Sequence, residues 1–169
     1  MPLWLNLSLL QDPTMTELTA GMPAPDFNLP TDGGDRVSLA SLKGKSVVLY
    51  FYPKDDTSGC TSEAIAFSAS REAFEAANTV VIGVSKDSPA SHDKFKAKHD
   101  LTIRLASDES GEMVEAYGVW VEKNMYGRNY MGLERATFLI DAQGVIKEIW
   151  HKVKVTGHVD KVLKAVQAL

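Results

Sequence analysis

A single cysteine, Cys60, stands in this chain of 169 residues, and its neighbourhood is one that a reactive thiol needs. Cys60 follows the apolar run Val47-Val48-Leu49-Tyr50-Phe51-Tyr52, then Pro53 and the polar stretch Lys54-Asp55-Asp56-Thr57-Ser58-Gly59, and it opens a segment of helical periodicity. A helix N-terminus presents unpaired N–H groups and the positive end of a dipole, so a thiolate placed there is stabilised as a nucleophile. Strand–loop–helix is also where open α/β sheets carry reactive groups. An unpaired cysteine can equally be a small apolar core residue. Against that, Thr57, Gly59, Thr61, Ser62 and Glu63 surround Cys60 and read as the lining of a polar pocket.

Other chemistry-bearing residues are less well arranged. His92, His99, His151 and His158 are scattered, and no pair has the spacing with carboxylates that metal binding favours, so no metal site is expected. Asp55-Asp56 reads as a solvated loop rather than an acid/base pair, and Gly33-Gly34 lacks the surroundings of a phosphate loop. Trp120, Tyr126 and Tyr130 either form an apolar wall beside the site or merely pack.

The elements that must position Cys60 follow from periodicity. The Pro-rich stretch Met22 to Leu29 reads as extended, Asp32 to Asp35 as a turn, and Arg36 to Leu39 as a short returning strand. Val47 to Tyr52 and Thr79 to Val84 are continuous β-branched and aromatic runs, expected of central strands buried on both faces. Between them a helical stretch begins near Cys60, with Ala64, Phe67, Phe74 and Ala77 on one face. Ser88-Pro89 is an N-cap with proline at the first helical position, opening a helix that turns Phe95 inward. A short helix is expected from Ser110 to Tyr117, ended by Gly118, while Glu122 to Gly132 reads as either a loop or a hairpin. Ala136 to Ile140, the turn Asp141 to Gly144 and Val145 to Trp150 form a hairpin, and Val159, Val162, Leu163, Val166 and Leu169 mark a closing amphipathic helix. Parallel strands joined by helices, with a hairpin added, imply an α/β class: a central mixed sheet flanked by helices, an order that a thioredoxin-like arrangement satisfies.

Composition bounds the rest. With 44% apolar and 24% charged residues the chain has ordinary globular content, and its length suits one domain. A net charge of −4 without a basic block weighs against a nucleic-acid partner. No apolar run approaches the roughly 18–20 residues of a membrane span. One cysteine excludes an intrachain disulfide and every multi-cysteine metal site, and a lone thiol suits a reducing, cytoplasmic compartment. Residues 1–20 read as an N-terminal extension ahead of a domain at 21–169. The apolar stretch Leu3 to Leu10 lacks a preceding Lys or Arg and a small-residue cleavage site, so it does not read as a secretory leader.

The stretch Phe51 to Ala64 resembles the active-site signature of peroxiredoxins, specifically the peroxiredoxin Q or bacterioferritin comigratory protein subfamily. Pro53, Thr57 and Cys60 meet the family pattern Pro-x-x-x-Thr-x-x-Cys, and the similarity continues through Tyr117 to Trp120 and Arg135 to Asp141. The resemblance implies a thioredoxin-like domain that reduces hydrogen peroxide and organic hydroperoxides without metal, haem, flavin or other cofactor. Cys60 would attack the peroxide and become a sulfenic acid. Arg135 would supply fixed positive charge, Thr57 would hydrogen-bond the peroxide, and Pro53 would shield the thiolate from bulk water. Glu63 would orient Arg135, with Gly59 and Trp120 beside the substrate.

Two departures from the family pattern matter. Ser58 stands where many relatives have proline, and it can serve there as the turn or N-cap residue. The positions at which relatives carry a second, resolving cysteine hold Ile65 and Lys96. A one-cysteine cycle follows, in which thioredoxin, glutaredoxin or a small thiol reduces the sulfenic acid, in a monomer or weak dimer. The alternative in another class is a thiol-based peroxide sensor or a holdase-type binding protein.

Overall fold

The computed structural model describes residues 17–169. The first sixteen residues of the expected N-terminal extension lie outside the described residues. Strands β1 (Asn28–Pro30) and β2 (Arg36–Ser38) pair antiparallel as a small ribbon around the Asp32–Gly34 turn. Then follow β3 (Ser46–Phe51), α1 (Ser58–Ala69), α2 (Arg71–Ala76), β4 (Thr79–Ser85), α3 (Pro89–His99), β5 (Arg104–Ser107) and α4 (Glu112–Ala116). The chain continues through β6 (Trp120–Met125), β7 (Arg128–Leu133), β8 (Ala136–Ile140), β9 (Ile146–Trp150) and α5 (His158–Gln167).

Five strands form the central sheet in the order β5-β4-β3-β8-β9. β3, β4 and β5 run parallel, whereas β8 lies antiparallel to both β3 and β9, giving the mixed α/β sheet that the sequence implied. The period-two geometry of β3 divides the core. Val47, Leu49 and Phe51 join one cluster with Met113, Val114, Tyr117 and Phe138, while Val48, Tyr50 and Tyr52 join the other with Phe67, Phe74, Phe95 and Val162. Tyr50 is opposite Gly83 across the parallel β3–β4 register, and a Cβ there would stand 2.7 Å from the phenol oxygen, so only glycine admits that ring.

Local signals set the element ends. Ser88 Oγ accepts the Ser91 N–H at 3.1 Å, capping α3 behind Pro89. Asp141 Oδ1 accepts from the N–H groups of Gln143 and Val145, which closes the β8–β9 turn. Three features differ from the expectation or complete it. The single helical stretch after Cys60 is bent at Ser70 into α1 and α2, and the Ser70 N–H reaches the carbonyls of Ala66, Phe67 and Ser68. β5 was not anticipated, because Arg104-Leu105-Ala106-Ser107 is too short to show a period of its own; it exists by pairing with β4. Glu122 to Gly132 forms the β6–β7 hairpin, turning at Tyr126 and Gly127 with φ of 54° and 78°, the two positive values of a type I′ turn. Among the described residues, no helix is long and apolar enough to cross a membrane.

Candidate active site

Cys60 is the third residue of α1, behind Thr57, which occupies the N-cap position with extended backbone (φ −91°, ψ 158°). The cap therefore falls on Thr57, and Ser58 is the first helical residue. The first bond into the helix runs from the Thr61 N–H to the Thr57 carbonyl at 2.8 Å. The N–H groups of Ser58, Gly59 and Cys60 precede it and emerge from the helix end, where the dipole favours negative charge. The Thr57 side chain does not cap; its hydroxyl donates to the Lys54 carbonyl at 2.9 Å.

Burial alone would make Cys60 a core residue, for it is 1% exposed within the cluster that includes Tyr50, Tyr52, Ala64 and Phe67. Arg135 sets it apart. Its Nη2 lies 3.4 Å from Cys60 Sγ, and its Nη1 donates to Glu63 Oε1 at 2.8 Å. Cys60 and Glu63, three residues apart on α1, thus face one guanidinium from neighbouring helical turns. A thiol placed only for packing has no need of a half-buried cation.

The sheet delivers that arginine. β8 pairs with β3 so that Ala136 is opposite Phe51, which brings residue 135 to the loop leaving β3. The backbone is pinned on both sides, by the Glu134 N–H on the Val119 carbonyl (2.7 Å) and the Val153 N–H on the Arg135 carbonyl (2.9 Å). His151 Nδ1 contacts the Glu134 carboxylate at 2.7 Å.

Charge in the site is unevenly distributed. Burial works against the Arg135 charge, yet Cys60 and Glu63 outweigh it and raise its pKa above the ordinary arginine value. Burial pushes Glu63 up to about 7 despite the attraction of Arg135, and its second oxygen, Oε2, has no hydrogen-bond partner. Lys123 reaches back from β6 to donate to the Leu133 carbonyl at 2.6 Å. Burial, then Arg135, lower its pKa, with Glu134 and Cys60 opposing. Gly59 is needed for space: a Cβ there would lie 3.0 Å from Arg135 Nη2.

The structure brings Cys60, Gly59, Glu63 and Arg135 together, with Pro53 and Thr57 exposed on the adjoining loop. Trp120 packs against the core cluster that holds Phe51 and Ala136, with Lys86 Nζ 4.2 Å from its ring centroid. Tyr126 is 96% exposed at the hairpin tip and Tyr130 is 44% exposed, so neither is packed into the core. Asp55 corrects the reading of a solvated loop. It is buried and contacts Tyr52 Oη at 2.6 Å, Ser91 Oγ at 2.8 Å and His92 Nδ1 at 2.7 Å. Nothing local in the sequence signals that network, because its members are drawn from the segment after β3 and from α3. Among the described residues, no three His, Cys, Asp or Glu side chains gather as a metal site.

Comparison with known proteins shows the family. Residues 20–149 match the model of the AhpC/TSA family. The chain is 52% identical over 146 residues to the putative peroxiredoxin bcp of Coxiella burnetii, covering 86% of this chain and 97% of that one. It is 48% identical over 147 residues to peroxiredoxin Bcp of Bacillus subtilis, covering 87% and 94% respectively. Among solved structures, Xanthomonas campestris bacterioferritin comigratory protein, described for its alkyl peroxide reduction activity, superposes with a TM-score of 0.84 at 42% identity, covering 89% of this chain and 98% of that one. Xylella fastidiosa PrxQ superposes at 0.86 with 38% identity, covering 90% and 98%.

Proposed function

Because the chain belongs to the AhpC/TSA family and is a thiol-dependent peroxidase of the peroxiredoxin Q kind, we propose that Cys60 is its peroxidatic nucleophile and that an external thiol completes the cycle. The observation that carries this reading is the 3.4 Å approach of Arg135 Nη2 to Cys60 Sγ at the N-terminus of α1.

The Cys60 thiolate attacks the terminal oxygen of a hydroperoxide. A sulfur–oxygen bond forms as the oxygen–oxygen bond breaks, sulfur loses two electrons, and the departing alkoxide or hydroxide takes up a proton to leave as alcohol or water. Arg135 and the free N–H groups at the start of α1 stabilise the charge that develops. Thr57 holds the peroxide by its hydroxyl, and Glu63 fixes the guanidinium. Ile65 is exposed on α1, and Lys96 is engaged with Asp32 at 2.7 Å, so neither resolving position of the relatives offers a thiol. A first external thiol therefore condenses with the sulfenic acid, releasing water and leaving a mixed disulfide, and a second thiol releases Cys60. The lone thiol fits a cytoplasmic, monomeric or weakly dimeric enzyme with residues 21–169 as its catalytic domain.

Stopped-flow oxidation by hydrogen peroxide, with dimedone trapping and mass spectrometry, tests this reading on wild type, Cys60→Ser and Arg135→Ala. Fast, stoichiometric sulfenic acid formation that Arg135→Ala slows strongly is expected. Slow oxidation indifferent to Arg135 would refute the assignment. Repeated turnover with thioredoxin, glutaredoxin or dithiothreitol separates a peroxidase from a sensor that is oxidised once.

A further inference from the structure

The loop that joins β3 to α1 carries two adjacent carboxylates, and both are docked on α3. Asp56 receives Lys98 Nζ at 2.7 Å and contacts His99 Nε2 at 2.8 Å on the exposed side. Asp55 turns inward to His92, whose side chain is fully buried. The Asp55 backbone N–H donates to Asp87 Oδ2 at 2.8 Å, so this loop is tied to the β4–α3 connection as well.

His92 is surrounded by acceptors. Its Nδ1 lies 2.7 Å from Asp55 Oδ2, and its Nε2 lies 3.0 Å from the Ala106 carbonyl of β5, an oxygen that has no proton to give. An N–H on Nδ1 meets the Asp55 oxygen as donor to acceptor. Asp55 also receives two hydroxyls, Tyr52 Oη on Oδ1 and Ser91 Oγ on Oδ2. With these hydroxyls and the ring nitrogen 2.7 Å away, the Asp55 carboxylate is fully engaged inside the protein. The groups facing this ring are Asp55 from the loop, the Tyr52 phenol 3.4 Å from Nδ1, and the Ala106 carbonyl; Asp87 stands behind Asp55 on the loop backbone.

The consequence reaches Thr57 through the same loop. The Thr57 hydroxyl spends its proton on the Lys54 carbonyl at 2.9 Å, so toward an incoming molecule its oxygen presents lone pairs only. A hydroperoxide offers an O–H on the oxygen that is attacked, and an acceptor is the group that orients it. Asp55 and Asp56 lie between Lys54 and Thr57, and the pairing on α3 holds both ends of that hydrogen bond in register.

We propose that His92, as the buried hydrogen-bond partner of Asp55, is a positioning residue that holds the Lys54–Thr57 loop so that Thr57 meets a hydroperoxide as a hydrogen-bond acceptor. The assignment rests on the reading of Cys60 and Thr57 given above. His92 touches neither substrate nor sulfur; it acts through Asp55.

The test compares wild type, His92→Leu and His92→Asn by the second-order rate of Cys60 oxidation with hydrogen peroxide across a pH series. Alkylation of Cys60 by iodoacetamide, a reaction with no peroxide O–H to orient, is followed in parallel, and the His92 ring is observed by 15N NMR. A proton on Nδ1, donated to the Asp55 carboxylate, is expected in the wild-type ring spectrum. His92→Leu lowers oxidation by roughly tenfold to a hundredfold, the cost of a misplaced reacting geometry, with alkylation unchanged. His92→Asn, whose side-chain amide can stand in for Nδ1–H, recovers part of the rate. A wild-type ring without a proton on Nδ1, oxidation of His92→Leu within about twofold of wild type, or a matching fall in alkylation overturns the proposal. Slow oxidation of Cys60 in wild type refutes the peroxidatic reading and this role with it, while the ring spectrum still reports whether the Nδ1–H bond to Asp55 exists.

Discussion

Replacing Gly59 with alanine should separate stability from catalysis. The Gly59 φ lies outside the left-handed region, so alanine is compatible with the backbone, and its new Cβ would stand 3.0 Å from Arg135 Nη2. Relief requires the guanidinium to give way by a few tenths of an ångström. Nη1 is anchored on the buried Glu63, so the movement falls on the 3.4 Å contact between Nη2 and Cys60 Sγ. At an effective dielectric of about 20, retreat by about 0.5 Å weakens the attraction between cation and thiolate by roughly 0.6 kcal/mol. Partial loss of a hydrogen bond to a charged group, worth about 1.5–3 kcal/mol when intact, adds to that. A total near 1.4 kcal/mol corresponds to about a tenfold slower oxidation of Cys60. Alanine meanwhile favours the helix by up to roughly 1 kcal/mol in an interior position, and by less in the first turn. Stopped-flow peroxide oxidation read by tryptophan fluorescence, together with thermal unfolding of the reduced protein, measures both sides. An oxidation rate within about twofold of wild type would refute the steric argument. A slower rate accompanied by a lowered Tm would show that the substitution disturbs the helix instead.

Two further outcomes follow from the same geometry. Glu63 is raised from 4.5 to about 7 by burial, so between these values the unfolded chain ionises this carboxyl while the folded chain does not. Its contribution to stability is therefore full below about pH 4.5 and is lost as pH rises through about 7, a change of about 3 kcal/mol. Urea unfolding of wild type and Glu63→Gln across this range should show that falling component in wild type alone; parallel curves would refute it. Thr57→Val keeps the side-chain shape but removes the hydroxyl that bonds Lys54, and should slow oxidation by roughly tenfold or more, while Thr57→Ser stays near wild type. Peroxide kinetics on the two variants check this, and equal rates would remove Thr57 from the peroxide site.

How much of the site was legible depended on how local each part is. Thr57, Gly59, Cys60 and Glu63 fall within seven residues, and the strand, proline and polar loop before them mark a helix start, so the candidate nucleophile and its helix could be read directly. Arg135 is 75 residues from Cys60, and its assignment needed the family resemblance rather than any periodicity. Trp120 carried the same kind of assignment, and its side chain packs on the core cluster of Phe51 and Ala136.

The order of elements, the buried central strands and the position of the thiol at a helix start were determined by the sequence itself, because propensity, capping and hydrophobic period act over a few residues. Tertiary structure decided which charges meet. The β3–β8 register carries Arg135 to the sulfur, and the packing of α3 on the β3–α1 loop turns Asp55 from a surface acid into a buried partner of His92. β5 also awaited its neighbour, being a strand only because β4 supplies its hydrogen bonds. Side chains far apart in the chain interact only after the sheet fixes their registers. A linear sequence shows the groups that can form such contacts, and the sheet selects the pairs that do.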